Sequence, residues 1–277
     1  MFRSQYDTDV TTFSPQGRLL QVEYAMEAVK QGSAVVGVCS ATHVVLAALK
    51  RSFSDLAWHQ RKIVPIDEHI GVAISGIAAD ARVLTKRMRD ECLQHRFVYG
   101  DAMPVGRLVH LVADLCQKCT QRISRRPYGV GLLVAGVDES GPHLYQTCPS
   151  GEVYDLVGMA LGARSQSART YLERHMDEFS SASREALIRH ALWALNETLA
   201  SAKDQHLSAE NCSVGVVSIG DDMRFHLYEH EQVQPLLDAC AFPKSGGTAT
   251  ETSTEQAPQN VTDSDEHHDA TMQQDTP

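Results

Sequence analysis

Short β-rich runs alternate with pairs of amphipathic helices along this chain, and that alternation narrows the fold more than any other feature. Residues 34–39 (AVVGVC) and 44–49 (VVLAAL) are apolar runs joined by residues 40–43, a short hairpin-like link. Residues 63–66 and 70–75 form a second pair around Asp67, Glu68 and His69. The period then changes. Over residues 78–95, Ala81, Leu84, Met88 and Cys92 recur at helical spacing, with Arg82, Lys86, Arg87 and Arg89 on the wet face or facing a neighbour. Residues 104–123 predict another helix, with Pro104 in its first turn and Leu108, Leu111, Val112 and Leu115 as its stripe. Residues 129–137 and 143–147 read as strands, 165–178 and 183–199 as helices, and 212–219 with 223–228 as a final hairpin. Ser183 is placed to cap its helix. At the front, Ser14, Pro15, Gln16 and Gly17 signal a reverse turn, and residues 18–31 predict a helix that Gly32 stops. This order suggests two sheets packed face to face with helix pairs outside, an α+β four-layer αββα sandwich.

Composition sets limits on what that sandwich does. Apolar residues make up 43% of the 277, enough for a core without disulfide or metal staples. A net charge of −10 argues against nucleic acid, whose phosphates require clustered Lys and Arg. From residue 241 onward seven acids stand against Lys244 alone, a net of −6, leaving −4 for residues 1–240. That segment is Gly, Thr, Ser, Gln and acids; it cannot bury enough apolar surface to offset its ordering entropy, so 241–277 is expected to be a disordered acidic tail. The first twenty residues hold no apolar run suited to a signal peptide, and no later stretch approaches a membrane span. Seven irregularly spaced cysteines fit a reducing compartment, so cytoplasm and nucleus are the expected location. The Asn-x-Ser/Thr matches at Asn196, Asn211 and Asn260 are then chance. No cofactor or metal site is expected. Cys116 and Cys119 have a metal-like spacing but lie mid-helix without a second Cys/His pair, and His267-His268 is too sparse.

Residues 6–28 carry a specific pattern. Tyr6, Thr11, Phe13, Ser14-Pro15, Gly17-Arg18, Gln21, Val22, Glu23, Tyr24-Ala25 and Ala28 fill every specified position of the N-terminal signature of proteasome core-particle α subunits. The chain resembles that family through its folded body, and its type-1 branch (also called α6) most. That branch likeness is carried by Arg126-Pro127-Tyr128-Gly129-Val130-Gly131 and by residues 162–173 (GARSQSARTYLE). The resemblance implies the fold of the N-terminal nucleophile hydrolases with an extra N-terminal helix. It also implies a division into a gate segment over 1–17, a sandwich domain over 18–240 and the tail. The implied function is that of a non-catalytic subunit of a hetero-heptameric outer ring. Such a subunit contacts other α subunits, the β subunits beneath, and an ATPase regulatory particle or other activators above. It gates the passage of unfolded protein substrates toward ubiquitin-dependent and other intracellular degradation. Neither nucleic acid nor membrane is an implied partner.

The related β subunits use a Thr freed by self-cleavage, whose own α-amine serves as base. Gly32-Ser33 is the tempting match here. Aligned on Val36-Gly37, Ser33 falls at the nucleophile, Lys62 at the third position, and Leu49 where an acid is required. Leucine cannot handle a proton, so Ser33 reads as an ordinary strand-start residue and no catalytic residue is expected. The rival readings are a self-processing serine hydrolase using Ser33 and a free α-like binding module.

Position by position, Tyr6, Asp7, Pro15 and Tyr24 match the family's gate cluster. A tail that closes a pore swaps between two packings, and a Pro-Gly turn at its base suits a hinge. Thr8 stands where the family often has Arg, which removes an ion pair to the neighbouring subunit. Lys62 matches a lysine lining the pocket where C-terminal tails of activator ATPases dock, with Gly76 nearby to let a backbone approach; the plainer alternative is a solvated Lys beside Arg61.

Overall fold

The computed structural model describes residues 5–54, 56–199, 206–220, 223–240 and 242. The predicted acidic tail, apart from Phe242, and the first four residues of the gate segment lie outside the described residues. After helix α1 (Leu20–Gln31) come strands β1 (Val35–Cys39), β2 (His43–Leu49), β3 (Ile63–Asp67) and β4 (Ile70–Gly76). Helices α2 (Ala78–Tyr99) and α3 (Val105–Thr120) follow, then β5 (Val130–Asp138), β6 (Gly141–Thr147), β7 (Val153–Asp155) and β8 (Gly158–Leu161). The last part holds α4 (Ser165–Arg174), α5 (Met176–Phe179), α6 (Arg184–Glu197), β9 (Cys212–Ser218), β10 (His226–Glu229) and α7 (Gln234–Asp238). Two five-stranded antiparallel sheets result, in the orders β10-β9-β2-β1-β8 and β3-β4-β5-β6-β7.

Strands read as unbroken apolar runs because both faces are covered. On β2, Val44, Leu46 and Ala48 point into the layer between the sheets, while Val45, Ala47 and Leu49 point at the helices. On β5 the same alternation sends Leu133, Ala135 and Val137 inward and Val130, Leu132 and Val134 toward α2 and α3. Helix α2 meets that outer face with Ala81, Leu84, Met88 and Cys92, all at the predicted spacing. On the opposite side α4 and α6 cover the first sheet with Ala168, Leu172, Leu187, Ala191 and Leu195. The αββα order expected from the sequence is the observed one.

The helical wet faces are tied down by specific pairs. Arg87 pairs with Glu91, and Arg89 donates to the Pro65 carbonyl at 2.7 and 3.1 Å. Arg126 grips the Asp80 carboxylate at 2.6 and 2.7 Å, and the same carboxylate accepts the Gly129 N–H at 2.9 Å. The start of α2 is thereby fixed to the approach to β5, and the guanidinium holds Asp80 below the usual carboxylate range. Ser183 does cap α6, accepting from the Ala186 N–H. Cys116 and Cys119 are free thiols on the buried face of α3, and burial pushes Cys116 up to about 12.

Four features depart from the sequence reading. The predicted helix over 165–178 breaks at His175 into α4 and α5, the last hairpin strand is only His226–Glu229, and β7 and β8 have three and four residues. Strands that short carry too few alternations to register as a period. Helix α7 is equally short and ends near Phe242, whose ring lies 5.2 Å from that of Trp193.

One aromatic ring bridges the two sheets. Phe225, ahead of β10, sits over Gly71 of β4 and Gly215 of β9, one from each sheet. A Cβ at either glycine would overlap the ring. Its backbone N–H donates to the Glu68 carbonyl at 2.6 Å, so the ring cannot simply back away. Gly215→Ala is expected to destabilise the chain by about 1–3 kcal/mol through overpacking. The loss should shrink when Phe225→Leu is combined with it; urea unfolding of the four members of that cycle reads the coupling.

Candidate functional site

Helix α1 determines what the N-terminal end of the sandwich can do. It buries Val22, Ala25 and Val29 against β4 and β5, and Ser75 donates its hydroxyl to the Val29 carbonyl at 3.0 Å. The helix then runs through Gly32 directly into Ser33, which is buried and followed, after Ala34, by β1. The Gly32 carbonyl accepts from the Ala163 N–H at 2.7 Å, and the Ala34 carbonyl from Leu49 at 2.9 Å, pinning both sides of Ser33. Leu49 lies in the apolar core between the first sheet and its helices. Leucine at the aligned acid position cannot handle a proton, and the Ser33 nitrogen is a peptide amide. This is a sealed junction.

The residues that match the family's gate cluster lie on α1, on the turn before it and in the segment ahead of that turn. Gly17 donates to the Ser14 carbonyl at 2.9 Å with φ at +76°, closing the reverse turn with Pro15 exposed at its corner. A left-handed backbone there needs glycine. Ser14 accepts the Arg18 N–H on its hydroxyl at 3.1 Å, and Arg18 pairs with Glu23 one turn into the helix. The segment before the turn is held back on α1 at Asp7. Tyr24 donates its hydroxyl to the Asp7 carboxylate at 3.3 Å, and Gln21 donates its side-chain N–H to the Asp7 carbonyl. Loss of hydration, followed by the adjoining Asp7 carboxylate, holds the Tyr24 phenol above its ordinary range. Val10 is the buried anchor of this segment. Asp7 and Tyr24 are thus brought together. Pro15 acts at the turn instead, and Tyr6, the residue before Asp7, is 39% exposed. Gln21 is visible in the sequence only as a signature position; its bond to the Asp7 backbone depends on the turn returning the segment to α1.

Lys62 is not a solvated surface lysine. It lies immediately before β3, where its carbonyl accepts from Ile74, and only 3% of it is exposed. Its ammonium has no hydrogen-bond or ion-pair partner among the described residues. Burial, and then the positive charge of Arg51, lower its pKa to about 8. Gly76 ends the strand paired to β3, with φ at +115°. The backbone that approaches it is this chain's own: added Cβ atoms at Gly76 and Gly32 would collide with Gly129 and Gly76 respectively. That glycine is needed to seat α1 and β5.

These features coincide with a known family. The family described as "Proteasome subunit" matches residues 29–217, and the N-terminal signature of the A-type proteasome subunits matches residues 6–28. The chain belongs to the proteasome subunit family, on its α side. It is 52% identical to the proteasome alpha type-1 subunit of Dictyostelium discoideum over 238 residues, covering 86% of this chain and 95% of that one. It is 54% identical to the probable proteasome alpha type-6 subunit of Schizosaccharomyces pombe over 238 residues, 86% of each chain. With the proteasome alpha type-6 subunit of Saccharomyces cerevisiae it shares 47% identity over 235 residues, 84% of this chain and 98% of the relative.

Lys62 gives a signed pH prediction. Below pH 8 both the native and unfolded chains hold this proton, and the native state bears the desolvation cost of a buried charge. Between about 8 and the ordinary lysine value near 10.5 the native chain releases the proton while the unfolded chain keeps it, so stability rises with pH. Lys62→Met is expected to stabilise the chain at pH 7 by on the order of 3 kcal/mol and to flatten that rise. Urea midpoints for both chains across pH 7 to 10 test it.

Proposed function

We propose that this chain is a non-catalytic subunit of the outer α ring of the 20S proteasome core particle, working in cytoplasm and nucleus. The observation that carries this reading is the continuity of α1 with β1 through buried Ser33. A nucleophile with its own α-amine as base requires a chain end at that point, and the acid position is occupied by core residue Leu49. The hydrolase reading gains no support. What remains is a rigid sandwich that presents surfaces to other α subunits, to the β subunits, and to an ATPase regulatory particle or other activators. Proteolysis of ubiquitin-tagged and other intracellular proteins belongs to those partners.

Within that role, Tyr6, Asp7, Pro15 and Tyr24 form this subunit's share of the gate. The Asp7–Tyr24 contact is a single, partly exposed hydrogen bond, which suits a segment that must leave its resting position. Lys62 supports activator binding, because a buried ammonium with no counter-ion among the described residues gains most from a terminal carboxylate. Gly76 contributes by keeping α1 and β5 in place around that lysine.

Native size-exclusion of cell extract should place the intact 30.5 kDa chain in a very large particle, with no fraction beginning at Ser33. A free chain, or peptidase turnover by the chain alone that Ser33→Ala abolishes, would falsify this role. In the assembled particle, Asp7→Ala should raise basal hydrolysis of a fluorogenic peptide by up to about fivefold, the equivalent of one lost hydrogen bond. Tyr24→Phe should act in the same direction.

A further inference from the structure

A side-chain cluster on the outer helical layer is unrelated to the gate, the sealed junction or Lys62. His175 stands at the break between α4 and α5, Glu178 lies in α5, and His190 projects from α6. Their ligand atoms all lie within 4.8 Å of one another. His175 Nδ1 is 2.9 Å from Glu178 Oε1, and His190 Nε2 is 3.4 Å from Glu178 Oε2. Donor atoms around a tetrahedral zinc, each about 2.0–2.1 Å from the metal, stand roughly 3.3 Å apart. Small side-chain rotations bring this set to that spacing.

We propose that His175, Glu178 and His190 form a binding site for a divalent transition metal of the zinc class, with water in the fourth position. The donor set selects the ion: two imidazoles and one carboxylate suit Zn²⁺, whereas Mg²⁺ and Ca²⁺ call for oxygen donors throughout. A supporting shell is already built. Tyr171 Oη is 3.2 Å from His190 Nδ1, so that nitrogen can donate its N–H to the phenol and leave the Nε2 lone pair facing the Glu178 carboxylate. In that tautomer, the one a metal would select, two electron-rich groups face each other across a gap that a cation would fill. The Phe179 ring packs edge-on against His190 at 5.4 Å and limits its rotation. His175 and Glu178 are 35% and 59% exposed on the other side, which gives the ion a path in and leaves room for water. Arg189, next to His190 in α6, opposes the cation, so the site depends on the Glu178 charge. The break of the predicted 165–178 helix at His175 makes the site possible, since it swings Glu178 between the two imidazoles. A bound ion would clamp the α4–α5 corner to α6.

The test uses the full-length chain and zinc itself. Zn²⁺ is titrated in competition with a chromophoric chelator against wild type, His175→Ala and Glu178→Gln. Glu178 is exposed and His175 partly so, and circular dichroism checks that both variants fold. The wild type is expected to hold one more tight equivalent than either variant and to melt at a higher temperature with Zn²⁺, a shift the variants lack. Tyr171→Phe should keep that equivalent with affinity reduced about 10- to 100-fold. Co²⁺ should give the visible absorption of a tetrahedral site in wild type alone. Indistinguishable zinc titrations for wild type and both variants, or Mg²⁺ competing equally with Zn²⁺, would overturn the site.

Discussion

The seating of α1 across the end of the two sheets is the constraint on which the rest of this structure depends. Val29 is buried against the second sheet, its carbonyl takes the Ser75 hydroxyl, and Gly32 passes through a gap with no room for a Cβ. These contacts fix where the chain enters β1 and make Ser33 an internal, buried link. An architecture associated with self-exposing nucleophiles is thereby converted into a scaffold. The same helix, on its outer side, carries Gln21 and Tyr24, which hold Asp7. The internal Ser33 link and the tethered N-terminal segment share one physical cause.

The energetics of the two regions differ in kind. The inter-sheet layer is buried Val, Leu, Ile and Ala, with the Phe225 ring filling the space left by Gly71 and Gly215. Such a layer has a single arrangement and resists deformation. The described part of the N-terminal segment rests on one buried side chain, Val10, and a few hydrogen bonds that water can replace. A rigid body carrying a weakly held segment is what a regulated opening requires, because only the weak contacts change between states. Lys62 adds a third case, a buried charge whose cost to folding an external anion would relieve.

The glycines show how one residue type answers different demands in one chain. Gly17 supplies a left-handed turn, while Gly71 and Gly215 supply empty space for an aromatic ring. Gly76 does both, with a positive φ and two backbones pressed against it. Only the first of these demands is legible in the sequence, since a turn is local and a close approach is not.

The sequence by itself determined the longer elements, their order and the four-layer arrangement, but not β7, β8, α7 or the break that separates α4 from α5. Doubly covered strands leave short unbroken apolar runs and one-sided helices leave a period of 3.6, and neither signal needs knowledge of neighbours. It also determined the absence of an acid at Leu49 and the turn at Ser14 to Gly17. Only the tertiary structure decided that β8 pairs with β1, that Phe225 bridges the sheets, and that Lys62 is buried without a partner among the described residues. It alone placed Asp7 on Tyr24 and gathered His175, Glu178 and His190 at a helix break. Those facts join residues far apart in the chain or hang on three- and four-residue elements, and no local period records them.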